Sequence, residues 1–280
     1  MQTLVDIQSL RAQIAQWRTQ GDSIAFVPTM GNLHEGHLQL VRRARQVAER
    51  VVVSIFVNPM QFGPGEDFES YPRTLDIDSR LLSVEQTDVL FAPDVGVIYP
   101  GGAEATTRIE VPGVGRGLEE DFRPGFFIGV ATVVARLFNI VQPDYALFGE
   151  KDYQQLAVIR VMVADLCWPI EIIGLPMMRE ADGLAMSSRN QYLTEEERRR
   201  APLLHQTLMH VAEQIIAGNP HFGTLEEEAM KSLADGGFEP DYVCIRHADS
   251  LLPVGEGELR CVVLAAARLG RARLIDNIIL

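Results

Sequence analysis

Apolar residues along the first 175 positions follow two alternating patterns. Apolar positions at helical spacing predict amphipathic helices at about 4–20, 40–48, 77–86, 130–141 and 153–166. Between these helices stand short, unbroken apolar runs at 23–27, 51–57, 89–93, 145–148 and 170–175, and a weaker strand pattern stands at 108–111. Unbroken runs are typical of parallel strands that are covered on both faces. The alternation of strand and helix therefore predicts an α/β fold with a Rossmann-like, doubly wound parallel sheet.

The pattern changes near Pro176, which we take as the boundary between a Rossmann-like domain, 1–176, and a second domain, 177–280. In the second domain, a hydroxyl residue followed three positions later by glutamate predicts helix starts at Thr194–Glu197 and Thr224–Glu227. Strands are predicted at about 242–245, 259–266 and 273–279. We expect a smaller C-terminal α+β domain, which would act as a lid.

A turn rich in glycine and histidine follows the first strand of the Rossmann-like domain, at 30–37. Glycine allows a ligand to approach the main chain closely, and the start of the following helix presents free N–H groups that suit phosphate. His34 and His37 would donate to phosphate oxygens and, if protonated, offset negative charge. An isolated histidine pair more often caps a helix or lies in a core. The context of strand, turn and helix favours a phosphate site here.

Further polar clusters follow other strands, where ligands bind in open parallel sheets. Lys151, directly after a strand, can reach bound phosphates as a point charge, although a surface lysine is about as common. The loop 186–189 contains two hydroxyls and an arginine, whose planar fork suits phosphate. Gln61 and Gln155 are neutral amides suited to hydroxyls and a carboxylate. Asp78 is a candidate ligand for a metal–phosphate complex, although an exposed helix face is the commoner role.

Composition narrows the function classes. With 47% hydrophobic and 22% charged residues, the chain has the balance of a soluble globular protein, and its N-terminus does not resemble a signal peptide. The formal net charge of -13 disfavours binding to nucleic acid or to an anionic membrane surface. Three scattered cysteines show neither metal spacing nor a disulfide framework. We therefore expect a cytoplasmic protein with reduced thiols.

Several of these segments together resemble a known family. His34 and His37 resemble the HIGH signature of a nucleotidyltransferase superfamily, and 186–189 resembles its second phosphate loop. The match narrows to the pantothenate synthetase (pantoate–β-alanine ligase) family at 27–37, 56–62, 71–74, 148–155, 182–190 and 270–277. This resemblance covers essentially the whole chain.

The resemblance implies an activity, ATP-dependent condensation of (R)-pantoate with β-alanine through a pantoyl adenylate, with release of AMP and pyrophosphate. It implies His34, His37 and Lys151 as catalytic residues, Gln61, Gln155 and Asn58 for pantoate and β-alanine, and Asp78 for Mg²⁺. The ATP-binding residues would be Met30, Gly31, Asn32, Leu33, His34, Glu35, Gly36, His37, Gly149, Glu150, Lys151, Asp152, Met178, Met186, Ser187, Ser188 and Arg189. ATP would bind as a substrate with Mg²⁺, with no tightly bound organic cofactor, and the protein would be a homodimer.

One segment departs from the family. Phe126 and Ile128 stand where the family usually has histidine and arginine, so polar contacts are lost near the site. The alternative activity is that of another HIGH-superfamily nucleotidyltransferase, whose phosphate acceptor would need more cations than the two glutamines offer. A non-catalytic nucleotide-binding protein would be expected to lose its phosphate ligands, which are all present here.

Overall fold

The computed structural model describes residues 1–255 and 260–280. Its strands are β1 Gln2–Leu4, β2 Ile24–Thr29, β3 Arg50–Ile55, β4 Val89–Phe91, β5 Tyr145–Gly149, β6 Glu171–Leu175, β7 Glu239–His247, β8 Cys261–Leu269 and β9 Ala272–Ile279. Its helices are α1 Ile7–Gln20, α2 Glu35–Val47, α3 Leu75–Val84, α4 Val95–Ile98, α5 Glu119–Phe122, α6 Phe126–Val141, α7 Tyr153–Asp165, α8 Glu195–Arg200, α9 Leu203–Ile216 and α10 Phe222–Asp235. Short 3₁₀ helices span Pro59–Gln61, Glu150–Asp152 and Ser188–Tyr192.

The first six strands form one parallel sheet in the order β1-β4-β3-β2-β5-β6. From β2, the chain adds β3 and β4 on one side and later returns to place β5 and β6 on the other side. This arrangement confirms the predicted doubly wound sheet. Its topological switch point lies between β2 and β5, and ligands of such sheets bind beyond the carboxyl ends of the strands at that point.

The sheet is buried on both faces, as its unbroken apolar runs predict. In β3, Val51, Val52 and Val53 are all fully buried. Val52 belongs to the core that includes α1, α6 and α7, whereas Val51 and Val53 belong to the core beneath α2. Consecutive strand residues point to opposite faces, so a strand between two helical layers needs apolar residues at every position.

The last three strands form an antiparallel sheet in the order β7-β8-β9. On β8, Val263 packs with α9 and α10, whereas Val262 and Leu264 belong to the core of the Rossmann-like unit. The small sheet is therefore packed directly against the large unit. The boundary near Pro176 and the role of the second unit as a lid stay predictions.

Some local predictions were wrong. Residues 108–111 form no strand, and the Ile109 N–H instead donates to Thr132 Oγ1. Thr224 does not open a helix, because α10 already begins at Phe222. The capping box at Thr194 is confirmed, but its helix α8 has only six residues. Leu259, the predicted start of β8, lies outside the described residues.

The small sheet otherwise follows the predicted strands, and α1 starts later than predicted, at Ile7. Its first turn is capped by Asp6, whose carboxylate accepts from the Ser9 backbone N–H. Among the described residues, no helix has the length and apolar character needed to cross a membrane.

Candidate active site

A cavity of about 560 Å³ opens at the carboxyl edge of the large sheet, next to its switch point. Its volume lies within the range of small-molecule sites. Many of the predicted site residues line it together: Met30, His34, Gly36, His37, Gln61, Gly149, Lys151, Asp152, Gln155, Met178, Met186, Ser187, Ser188 and Arg189. The fold thus brings segments from both predicted domains to one place.

Other predicted site residues lie beside the cavity rather than in its lining. Within the described chain they are Gly31, Asn32, Leu33, Glu35, Asn58, Asp78 and Glu150. Several of them shape the segments that do line it, as Asp78 and Asn58 do through their hydrogen bonds.

Asp78 anchors the histidine turn to α3. Its carboxylate is almost fully buried and accepts hydrogen bonds from the backbone N–H groups of Asn32 and Leu33, both at 2.9 Å. Thr74 Oγ1 donates to the same carboxylate at 3.0 Å. The prediction of a solvated helix face is therefore wrong for Asp78. Its role as a metal ligand stays a prediction, and among the described residues no group of three or more His, Cys, Asp or Glu side chains could hold a metal.

Two glycines allow the turn to take its shape. Gly31 has a φ of 84°, a left-handed conformation that side chains rarely adopt. A Cβ at Gly36 would lie 3.1 Å from both Cε1 and Nδ1 of His34. Glycine at position 36 thus lets the imidazole of His34 lie against the first turn of α2.

The rings of the two histidines lie against each other at the N-terminus of α2, tilted by 48°. Their ring centroids are 4.1 Å apart, and the backbone N–H of His34 donates to His37 Nδ1 at 3.3 Å. Burial, reinforced by Lys151, lowers the pKa of His34 to about 4. Burial, together with His34 and Lys151, lowers the pKa of His37 to about 3. Both rings are therefore neutral at pH 7, so they can donate N–H groups to a ligand but do not offset negative charge as imidazolium ions.

Because His37 Nδ1 accepts a hydrogen bond, the neutral ring carries its proton on Nε2, which can donate to a ligand. Lys151, in the 3₁₀ turn that follows β5, brings a positive charge close to these rings. Its side chain is 19% exposed, and Nζ lies 3.8 Å from Asp152 Oδ1. The site therefore combines neutral donors with a half-buried positive charge, an arrangement suited to phosphate oxygens.

The loop 186–189 reaches across to the Rossmann-like unit. Ser188 Oγ donates to the carbonyl oxygen of Asn32 at 2.9 Å. Arg189 is paired with Asp67: Nε lies 3.2 Å from Oδ2 and Nη2 lies 3.1 Å from Oδ1. Tyr192 OH also donates to Asp67 Oδ2 at 3.3 Å. The guanidinium predicted to bind phosphate thus already has a carboxylate partner.

Gln61 is oriented by a fully buried neighbour. Asn58 Nδ2 donates to Gln61 Oε1 at 3.0 Å and to the Gly129 carbonyl oxygen at 3.1 Å, while Tyr99 OH donates to Asn58 Oδ1 at 2.8 Å. The backbone at Gly129 lies close to that of Met60, and only glycine allows this contact, because a Cβ at position 129 would lie 2.1 Å from the Met60 carbonyl oxygen. With its Oε1 occupied, Gln61 presents its amide N–H groups as donors to the cavity.

Arg123 also supports the Gln61 segment. Its Nη2 donates to the Gln61 carbonyl oxygen at 2.9 Å, and Nε and Nη2 form a bidentate pair with Glu66. Burial opposes ionisation of Glu66, yet the hydrogen bonds and charge of Arg123 leave its pKa below the usual value. Phe126, one of the departures from the family, places its ring 3.8 Å from the Arg123 guanidinium carbon and lines the cavity. Ile128, the other departure, is half-buried.

Sequence reasoning missed Glu66 and Asp67 as parts of the site. Their partners lie 57 and 122 positions away, at Arg123 and Arg189, and neither acid belongs to a recognisable motif. The one available signal was position: both acids follow a strand end shortly after the Asn58–Gln61 cluster.

Comparisons with known proteins give one family along nearly the whole chain. The family model described as "Pantoate-beta-alanine ligase" matches residues 2–279. A protein of Azotobacter vinelandii named "Pantothenate synthetase" is 56% identical over 278 residues, which cover 99% of this chain and 98% of that protein.

Solved structures give the same result. A pantothenate synthetase from Thermus thermophilus superposes with a TM-score of 0.92 at 47% identity, covering 99% of each chain. A pantoate–β-alanine ligase from Francisella tularensis, in complex with "Beta-gamma ATP" and β-alanine, has a TM-score of 0.84 at 33% identity, covering 100% of this chain and 97% of that one.

Proposed function

The chain belongs to the pantoate–β-alanine ligase family, and we propose that it joins (R)-pantoate to β-alanine through a pantoyl adenylate, releasing AMP and pyrophosphate. It is a ligase that forms an amide bond.

One observation supports the proposal above the others. The histidine turn, the Lys151 turn and the loop 186–189 meet around a single cavity, and Gln61 and Gln155 line the same cavity. Phosphate-binding donors and neutral acid-binding amides therefore lie within reach of one bound nucleotide and one small acid. Holding both reactants in one site makes the reaction between them effectively intramolecular.

In the first step, a pantoate carboxylate oxygen attacks the α-phosphorus of ATP, and the bond to the bridging oxygen of the β-phosphate breaks. Negative charge shifts onto the departing pyrophosphate. Lys151 would stabilise that charge electrostatically, and the N–H groups of His34 and His37 would donate to phosphate oxygens. Gln61 and Gln155 would hold pantoate without adding charge that competes for the phosphates.

In the second step, the β-alanine nitrogen attacks the acyl carbon, the carbon–oxygen bond to AMP breaks, and the nitrogen loses a proton. The mixed anhydride is already activated, so positioning and exclusion of water matter most. The C-terminal unit, acting as a lid through the loop 186–189, would close the cavity for this step.

Mg²⁺ would enter as part of the nucleotide substrate. The described residues offer no cluster of three or more metal-ligating side chains, and Asp78 already accepts three hydrogen bonds. Mg²⁺ in phosphoryl-transfer sites is commonly held by substrate phosphates with one or two carboxylates. When bound it would neutralise phosphate charge, and Asp152, one of the carboxylates that line the cavity, would be a candidate ligand for it.

The test is a coupled measurement of AMP and pyrophosphate release. We expect AMP to form only when pantoate, β-alanine and ATP are all present, and pantoate alone to support exchange of labelled pyrophosphate into ATP. Pyrophosphate release that needs neither acid would contradict the proposal. Transfer of the nucleotide to a phosphate-bearing acceptor would instead indicate another nucleotidyltransferase.

A further inference from the structure

The C-terminal strand contributes two buried polar residues that the reaction described above does not use. Asp276 and Asn277 on β9 are 3% and 5% exposed. A buried carboxylate and a buried amide are costly unless hydrogen-bonded, so their partners show what they hold in place.

Asn277 holds the turn that carries Lys151. Its Nδ2 donates to the carbonyl oxygens of Glu150 and Lys151, at 2.9 and 3.0 Å. An asparagine amide has two N–H donors, and both are committed to this turn. The backbone of Lys151 is thus held from the C-terminal sheet as well as by β5.

Asp276 holds the segment that leads to the second phosphate loop. Its carboxylate forms a bidentate pair with Arg179 at 2.7 and 2.8 Å. Arg179 Nη1 also donates to the Gly183 carbonyl oxygen at 3.0 Å. These contacts close a small hairpin, in which the Met186 N–H donates to the Met178 carbonyl oxygen at 2.9 Å.

The two residues are also joined to each other and to the hairpin. The Asn277 N–H donates to Asp276 Oδ1 at 2.6 Å, and Arg179 Nη2 donates to the Asn277 carbonyl oxygen at 3.2 Å. One dipeptide on one strand therefore holds both segments that would contact the phosphates, although these segments come from different parts of the chain.

We propose that Asp276 and Asn277 are positioning residues for adenylation. They would fix the position of Lys151 relative to the loop 186–189, on either side of the bound nucleotide. This inference rests on the proposed function. Asp276 also borders the cavity and Asn277 does not, and both would act through the segments that they hold. Charge stabilisation in a transition state depends on donor placement to within a fraction of an ångström, so release of the Lys151 turn should slow the first step more than the second.

The test separates the two steps in Asn277→Ala. Pantoate-dependent exchange of labelled pyrophosphate into ATP reports the first step, and reaction of synthetic pantoyl adenylate with β-alanine reports the second. We expect the rate of exchange at saturating ATP to fall by roughly 10- to 100-fold. We expect the second step to fall by less than about threefold.

The matched control is Leu274→Ala, on the same strand. Leu274 is buried in the core of the C-terminal unit and does not line the cavity. We expect this variant to lower the unfolding temperature while leaving both steps near wild type under conditions where it is folded. Should Asn277→Ala fail to fold, Asn277→Ser keeps one donor and should give a smaller loss of exchange.

Equal losses in both steps, or no loss in exchange, would overturn the inference. A wild-type protein that shows no pantoate-dependent exchange would instead refute the proposed function. The two failures are therefore distinguishable.

Discussion

The two predicted phosphate-binding segments, the histidine turn at 30–37 and the loop 186–189, are built in different ways. The turn is held by backbone groups that donate to the buried carboxylate of Asp78. The loop is held by side chains, above all by the pair of Arg189 with Asp67, whose side chains are 27% and 23% exposed. If both segments bind phosphate as proposed, the turn already has its binding shape, whereas the arginine of the loop would have to leave or share a partner first. We therefore expect the turn to be preorganised and the loop to depend on an exchange of partners at Arg189.

The largest effect should come from removing the anchor of the preorganised half. In Asp78→Ala, the N–H groups of Asn32 and Leu33 lose a charged, buried acceptor. Hydrogen bonds to charged groups contribute about 1.5–3 kcal/mol each, so we expect a loss of roughly 3 kcal/mol or more in the free energy of unfolding, measured in urea.

Asp76→Ala is the control for that variant, because Asp76 lies on the exposed side of the same helix. A change within about 0.5 kcal/mol is expected there. If both variants lost the same amount, the anchor would not be what distinguishes the turn from the loop.

A second prediction concerns the burial of His34 and His37 and its effect on stability as the pH changes. Their pKa values, about 4 and about 3, lie below the ordinary value of 6.5, so the unfolded chain binds more protons than the folded chain between those values and pH 6.5. Their contribution to stability is thus complete above pH 6.5 and is lost as the pH falls. At pH 5 each should account for roughly 2 kcal/mol of lost stability.

Urea unfolding of wild type and His37→Asn at pH 7 and pH 5 checks this prediction. Other titrating groups are common to both proteins and cancel in the comparison. We expect the variant to lose roughly 2 kcal/mol less than wild type between the two pH values. Identical losses would mean that His37 is not held neutral by burial.

The smallest expected effect concerns the loop, and it is a gain in affinity for ATP instead of a loss of stability. In Asp67→Ala, Arg189 loses the carboxylate that competes with phosphate, so we expect the Kd for ATP to fall by roughly three- to tenfold, or about 1 kcal/mol. Isothermal titration calorimetry measures this Kd directly.

Glu69→Ala is the matched control, since it removes an exposed acid from the same connecting segment. If both variants changed the Kd equally, the effect would come from net charge rather than from the ion pair. Weaker ATP binding in Asp67→Ala would show that the carboxylate holds Arg189 in place for the nucleotide instead of competing with it.

Much of the fold was predictable because its signals are local. Val51, Val52 and Val53 indicated a strand covered on both faces, and Thr194 with Glu197 indicated a capped helix start. Both predictions were confirmed, because periodicity and capping depend on residues a few positions apart. The wrong start at Thr224 has a local cause as well: its helix already begins at Phe222, so the hydroxyl lies within the first turn.

The residues of the site divide into those with a local signal in the sequence and those without one. Its lining residues His34, Lys151 and Gln61 follow strand ends and stand in recognisable motifs, so they could be predicted from the sequence. The contacts that hold these side chains in place could not, although Asn58 itself was predicted as a binding residue. Asn58 orients Gln61 through a contact that also needs Gly129, and Asn277 reaches Lys151 from 126 positions away.

The sequence by itself determined the order of strands and helices, the family, and many of the side chains that line the cavity, because each is encoded in short segments. Only the tertiary structure decided that the histidines are neutral, that Asp78 holds the turn and that Arg189 is paired with Asp67. Those properties depend on burial and on partners distant in the chain. Desolvation and hydrogen bonding act over a few ångströms in space, whatever the separation in sequence.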